Sequence, residues 1–308
     1  MKKHATTILL FVIMFVGLGL LLYPPLADYI NTRNQSRAIA RYTDRVESGD
    51  ETDYAAYWDA ARAYNERLVG VDVVKRLNNP SVWGDGYDEM LKVDDSEIMG
   101  IIEIPEIAVM LPLYHGTSDM VLQVAVGHLQ GTSLPVGGPG THAAFSAHRG
   151  LPSAKLFTNL DQLDLGDLFT LRVLDEVLTY EIDQILVVEP HQVGSLAIVE
   201  GMDYCSLITC TPYGVNSHRL IVRGHRVANS TAALAARVTG DATQIDPLIV
   251  TPIVAAPMLL VLLIAMLIST SPKKRKKKAA RVHLSAEEIV EAADAAPLKK
   301  NDEGGERP

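Results

Sequence analysis

Cysteine is almost missing from this chain, and its scarcity excludes several kinds of protein at once. The 308 residues hold two, Cys205 and Cys210. On one strand they point to opposite faces and stand about 17 Å apart when extended, too far for a disulfide. There is no disulfide framework, and at least one thiol is free to react. No CxxC occurs, and two cysteines cannot build a four-cysteine zinc site. Acidic residues at calcium-loop spacing are also lacking, so neither a metal nor another cofactor is expected. Positive charge is sparse in the middle of the chain. Residues 24–247 carry 16 Lys and Arg against 30 Asp and Glu, a net of −14. So acidic a stretch argues against nucleic acid as a partner. Internal repeats are absent.

Charge of either sign is missing from two long apolar runs. The first, within residues 1–26, is long enough for a marginal transmembrane helix. Lys2 and Lys3 precede it, which puts the N-terminus in the cytoplasm and the chain beyond the run outside. An uncleaved anchor is favoured. A cleaved signal peptide is the rival, although no small-x-small cleavage site stands near Leu26-Ala27-Asp28. The second run, 248–269, also suffices to span, with Pro252 and Pro257 tolerable in a membrane. Lys273-Lys274-Arg275-Lys276-Lys277-Lys278 follows it. Beside an apolar run this cluster reads as a stop-transfer signal rather than a nucleic-acid patch. The expected topology is a two-span cell-membrane protein with both termini cytoplasmic and the middle outside. The tail, 270–308, holds a capping box at Ser285 and Glu288.

Between the runs the composition changes several times. Residues 27–77 are helix-prone, with Ile39, Tyr42, Val46, Tyr54, Tyr57, Trp58, Ala61, Tyr64 and Leu68 near helical spacing. Ser48-Gly49-Asp50 divides this helical stalk in two. Residues 78–97 form a loop rich in Pro, Gly and Asp. Within 98–227, strand-like runs occur at 98–104, 107–113, 142–148, 168–173, 179–188, 204–210 and 218–227, with a short helix at 155–163. Short strands separated by Gly and Pro turns predict a mainly β domain, an antiparallel barrel or sandwich. Residues 228–247 read as a linker.

One stretch concentrates the chemistry. In YCSLITCTPYGVNSHR, 204–219, Cys210 closes one strand, Thr211-Pro212-Tyr213-Gly214 turns the chain, and Arg219 opens the next strand. A hairpin-like loop brings thiol and guanidinium together. In HAAFSAHRG, 142–150, His142, Ala144, Ser146 and His148 share one face and Phe145 takes the other. His148 ends its strand just before a turn. Strand-end histidine opposite strand-end cysteine is what nucleophilic catalysis requires.

LITC followed by TPYGVNSHRL resembles the active-site signature of sortases, the membrane-bound cysteine transpeptidases of Gram-positive bacteria. The TPYG-x-N-x-HR form and a second, C-terminal span are most similar to class C, the pilin-polymerising sortases. THAAFSAHRGLPSAKLF is similar to the sortase histidine segment. The resemblance covers about 98–227 and implies an eight-stranded β-barrel. It implies Cys210 as nucleophile, His148 as proton donor and acceptor, Arg219 as the charge that stabilises the oxyanion, and Thr209 as part of the motif. It further implies cleavage of a C-terminal LPXTG-type sorting signal on pilin subunits, then joining to an acceptor lysine of the next pilin. Class C sortases carry a lid over the site, commonly Asp-Pro-aromatic. This chain departs from that pattern with Asn79-Pro80-Ser81, leaving Trp83 and Asp85 as the candidate ring and acid; an ordinary loop is the equal alternative.

The bare chemistry agrees with these roles. A thiol of pKa about 8.5 is mostly protonated at neutral pH, so a base and an electrostatic partner are needed. Histidine moves the proton, and arginine holds an oxyanion without losing its own charge. Cys205 reads as a core residue. His115, His128, His142, His191 and His225 read as structural, with His142 the runner-up base. Arg149, Arg223 and Arg226 compete with Arg219, and Arg223 shares its face. Competing functions are a housekeeping sortase anchoring surface proteins to peptidoglycan, a plain cysteine protease, and a non-enzymatic membrane-tethered pilus scaffold.

Overall fold

The computed structural model describes residues 2–48, 54–93 and 97–229, with Leu260 and Ile264 beyond them. All but those two residues of the expected second span, most of the linker and the basic tail lie outside the described residues.

The N-terminal run does not stop at residue 26. Helix α1, Lys2–Ser48, continues unbroken through Pro24 and Pro25 into the stalk. Among the described residues, this is the one helix long and apolar enough to cross a membrane. Helix α2 follows at Ala55–Leu68 and α3 at Val73–Asn78. Asp72 caps α3, its carboxylate accepting from Val74 and Lys75 backbone N–H groups at 3.0 and 3.2 Å.

Eight strands follow: β1 Ile98–Ile104, β2 Val109–Tyr114, β3 Val126–His128, β4 Thr141–Ser146, β5 Leu168–Val173, β6 Glu176–Val188, β7 Asp203–Thr211 and β8 His218–Val227. They close into a barrel in the order β1-β2-β3-β4-β7-β8-β6-β5. The pairs β2–β3 and β4–β7 are parallel and the other pairs antiparallel. The all-antiparallel expectation is thus corrected at two seams, each reached by a long connection rather than a hairpin. The expected helix at 155–163 is instead a run of turns ending in a single 3-10 turn, Leu160–Gln162. The expected start of β2 at 107 is delayed by another 3-10 turn, Pro105–Ile107, and by Ala108 at φ +49°.

Both barrel faces of β4 are buried. Ala143 and Phe145 join the interior, whereas Ala144 joins an outer cluster with Val73, Leu196, Ile208 and Ile221. The interior is closed by α2, whose Trp58, Tyr64 and Leu68 belong to the same apolar cluster as Phe145, Leu207 and Val222. Burying each such side chain contributes about 1.5–3 kcal/mol. Gly224 of β8 has no side chain for a reason: a Cβ there would meet the Phe169 ring at 2.8 Å, and that ring stacks on Tyr180 at 5.4 Å.

Candidate active site

Strand β7 sorts its residues by alternation. Cys205 and Leu207 enter the interior cluster, and Thr209 is buried with them. Tyr204, Ser206, Ile208 and Cys210 therefore take the outer face. Cys205 is wholly buried, and desolvation pushes its thiol well above the ordinary value. Cys210 is half-buried at the barrel rim.

The hairpin expected after Cys210 forms, and its register pairs Cys210 with Arg219. Side chains directly opposite on antiparallel strands share a face, with Cβ atoms about 4.5–5.5 Å apart. The Arg219 guanidinium donates to the carbonyls of Asn216 and His218 at 3.3 and 3.1 Å. Among the described residues it has no carboxylate partner. The rival arginines are all committed. Arg223 makes a two-pronged contact to Asp183 at 2.9 and 3.0 Å and covers the Tyr204 ring at 4.1 Å. Arg226 lies 3.9 Å from Asp203, and Arg149 pairs with Asp161. Strand alternation left Arg223 as a rival; the ion pairs remove it.

On the other side of β7 the parallel seam with β4 pairs Ser146 with Ile208. The contact continues one residue further, the Ala147 N–H donating to the Ile208 carbonyl at 3.2 Å. His148 and Cys210 each lie two residues beyond Ser146 and Ile208, so they leave neighbouring strands at the same rim. Strand β4 ends at Ser146, so His148 occupies the following loop rather than the strand end expected for it. Thr209 has a defined part here: its hydroxyl donates to the Ala147 carbonyl at 2.8 Å. This tie couples the residue before His148 to the residue before Cys210. The three candidate groups thus come from three adjacent elements in the order β4, β7, β8.

His142 is no alternative base. It pairs with Tyr204, six residues and about 20 Å along the strand from Cys210. Its ring is buried between the Ser206 hydroxyl at 2.8 Å and the Ala197 carbonyl at 2.9 Å. Desolvation lowers its pKa to about 4, so it stays neutral. His128 is likewise buried, held down to about 3 by desolvation, with Tyr87 and Ser133 as partners.

The described part of the 78–97 loop holds both the candidate ring and the candidate acid. Trp83 lies against Tyr87, ring centroids 5.5 Å apart, and Tyr87 in turn bonds the His128 ring at 2.8 Å. Asp85 is exposed, and the ion pairs among the described residues do not include it. Asn79 turns its carboxamide oxygen on its own turn, accepting from the Ser81 N–H at 3.1 Å and hydroxyl at 2.7 Å.

The outer face beside Cys210 is apolar as well as the inner one. Ile208 and Ile221 on the outer face are buried in a second apolar cluster, covered by Leu196 of the β6–β7 connection and Val73 of α3. Its only sequence signal is that SLITC and RLIV are apolar on both alternating sets, so neither face is solvent-facing. Among the described residues, no group of three or more His, Cys, Asp or Glu side chains is arranged to hold a metal.

The family model "Sortase domain" matches residues 102–227. The solved structure of sortase C1 from Streptococcus agalactiae is 48% identical, covering 63% of this chain and 100% of that one, at a TM-score of 0.56. Sortase C of Streptococcus pneumoniae, whose structure is described in connection with pilin substrate specificity, is 42% identical over 63% of this chain and 97% of its own, also at 0.56. Sortase D of Bacillus subtilis is 28% identical over 139 residues, 44% of this chain and 67% of the relative.

Proposed function

Because the chain belongs to the sortase family, within its class C group, we propose that it is a cysteine transpeptidase with Cys210 as nucleophile, His148 as proton carrier and Arg219 as oxyanion partner. The observation that carries these assignments is the Cys210–Arg219 register, with Arg219 the one arginine of β8 unpaired to a carboxylate among the described residues. The Cys210 thiolate attacks the carbonyl of a threonine–glycine bond. The developing oxyanion lies on the face that Arg219 shares. His148 protonates the departing amine, and a thioacyl enzyme remains. An incoming amine then loses its proton to the same imidazole and displaces the sulfur. Thr209 is a positioning residue, holding the strand ends together through the Ala147 carbonyl.

The substrate reading is a pilin subunit ending in an LPXTG-type signal, with a lysine amine of the next pilin as acceptor. Likeness to class C sortases supports it. Helix α1 serves as the membrane anchor that keeps the barrel outside; the 248–269 run supplies a second span.

Full-length protein incubated with an LPXTG-type peptide and a lysine-bearing pilin domain tests this reading. Intact-mass spectrometry detects an adduct on Cys210 equal to the peptide lacking its residues from glycine onward, followed by an isopeptide-linked product. Cys210→Ala abolishes both. A covalent pilin ladder persisting in Cys210→Ala cells would sink the enzymatic reading. Peptidoglycan-linked product with no pilin ladder would replace it by the housekeeping function.

A further inference from the structure

The barrel is strapped lengthwise to the helix that leaves the membrane. No Asp, Glu, Lys or Arg occurs between Lys3 and Asp28, so the apolar half of α1 ends close to Leu26. Tyr23 and Tyr29, 60% and 44% exposed, flank that point as interfacial aromatics do. The Asp28 carboxylate, in the next half-turn, accepts from the Lys155 backbone N–H at 3.0 Å. Asn31 then donates to the Ser153 carbonyl at 2.8 Å, and Gln35 donates to the Val124 carbonyl at 2.6 Å. Tyr42 reaches the other end of the barrel. Its hydroxyl accepts from the Leu174 N–H at 2.8 Å, in the β5–β6 turn. Between Asp28 and Tyr42 the helix climbs about 21 Å.

Residues 153 and 155 belong to the loop that follows His148. The Phe157 N–H closes that loop on the His148 carbonyl at 3.2 Å. The Tyr213 ring packs over Gly150, where a Cβ would meet it at 2.7 Å. The Arg149 guanidinium lies 5.9 Å from the same ring and donates to the Thr211 hydroxyl at 3.2 Å. The chain of contacts therefore runs from the first polar turn of α1 through 149–157 to the β7–β8 turn beside Cys210. At that rim Lys155 is exposed, and so are two bulky side chains, Tyr213 at 61% and Val215 at 69%.

We propose that this rim is a lipid-facing surface: Lys155, Tyr213 and Val215 rest on the headgroup layer, with Asp28 and Asn31 as the strut that fixes their height. The partner is an anionic bilayer surface, which fits one exposed cation beside an amphipathic ring and an aliphatic tip. Cys210 then works within a short distance of the headgroups, on a peptide bond presented where a substrate's own membrane segment begins. The inference rests on α1 being a span, and is independent of which residue is the nucleophile.

Full-length protein carrying Cys210→Ala and Val215→Cys, labelled with an environment-sensitive fluorophore, is reconstituted into vesicles of phosphatidylcholine and phosphatidylglycerol with headgroup-level spin-labelled lipid. The control carries the label at Glu176→Cys, an exposed position next to the far-end turn. Quenching at 215 is expected to exceed that at 176 by at least about threefold, since 176 stands roughly 20 Å higher. Adding Asp28→Ala and Asn31→Ala cuts the quenching at 215, while Lys155→Glu weakens it only in vesicles containing phosphatidylglycerol. Equal quenching at 215 and 176 in protein that resists carbonate extraction overturns the docking alone. Extraction by carbonate overturns the span and the docking together.

Discussion

Replacing Arg219 by alanine separates catalysis from stability, because its environment differs so sharply from that of Arg223. Arg219 faces Cys210 across the β7–β8 ladder and bonds two backbone carbonyls in a half-exposed turn. Water can take over both carbonyls, so its loss costs within about 1 kcal/mol of stability and a few degrees of Tm. As the oxyanion partner, however, it supplies what a missing donor typically removes, about 2.7–4 kcal/mol of transition-state stabilisation, or 10²–10³-fold in kcat. Arg223→Ala should do the reverse. It takes the two-pronged ion pair from Asp183, the two side chains 19% and 25% exposed, leaves that carboxylate only the His225 ring at 3.9 Å, and uncovers Tyr204. About 3 kcal/mol of stability goes, while kcat/KM per folded molecule stays within about threefold. Arg219→Lys keeps the charge but loses the planar fork, and should fall between parent and alanine. The assay is cleavage of a fluorogenic LPXTG-type peptide alongside a thermal melt of each variant. Arg219→Ala within about threefold of the parent would refute the oxyanion assignment.

Three further outcomes are expected. A thiol reagent labels native Cys210 readily, whereas Cys205 reacts only through opening of the core, at least about 10³-fold more slowly; mass spectrometry of tryptic peptides distinguishes them. His142 and His128 are neutral in the fold, with pKa lowered to about 4 and about 3. Between those values and the ordinary 6.5, the unfolded chain binds more protons, so stability rises with pH through this window and is lost on acidification. His142→Gln should flatten the dependence of Tm on pH between 4 and 6.5, removing up to about 3 kcal/mol of it. Trp83→Ala should lower Tm by uncovering Tyr87, yet change the labelling rate of Cys210 by no more than about twofold, as should Asp85→Ala; a large acceleration in either would give that residue the lid role.

Seven of the eight strands are legible in the sequence because each is long enough to declare a period or an apolar run. Strand β3 is not: Val126–His128 spans three residues and has no hairpin turn to mark it, and only its pairing with β2 on one side and β4 on the other makes it a strand. The supposed helix at 155–163 fails for a related reason. Its apolar residues Leu156, Phe157, Leu160 and Leu163 do recur at helical spacing, but they enter the barrel core from a chain of turns. Helix α1 runs past Pro24 and Pro25 without a break, so composition suggested a boundary where the backbone has none.

The amino-acid order alone determined the chemistry on offer: one thiol in a strand-ending motif, a histidine before a turn, an arginine after one, and an apolar N-terminal segment long enough to span a membrane. Each is a local pattern, set by residue type and spacing. Which of four arginines stays unpaired, which histidine lies at the rim, and which barrel end meets the emerging helix were decided by the closure of the barrel. Those choices depend on partners such as Asp183, Ser206 and Asp28, which are remote in sequence and become neighbours only when the strands take their order.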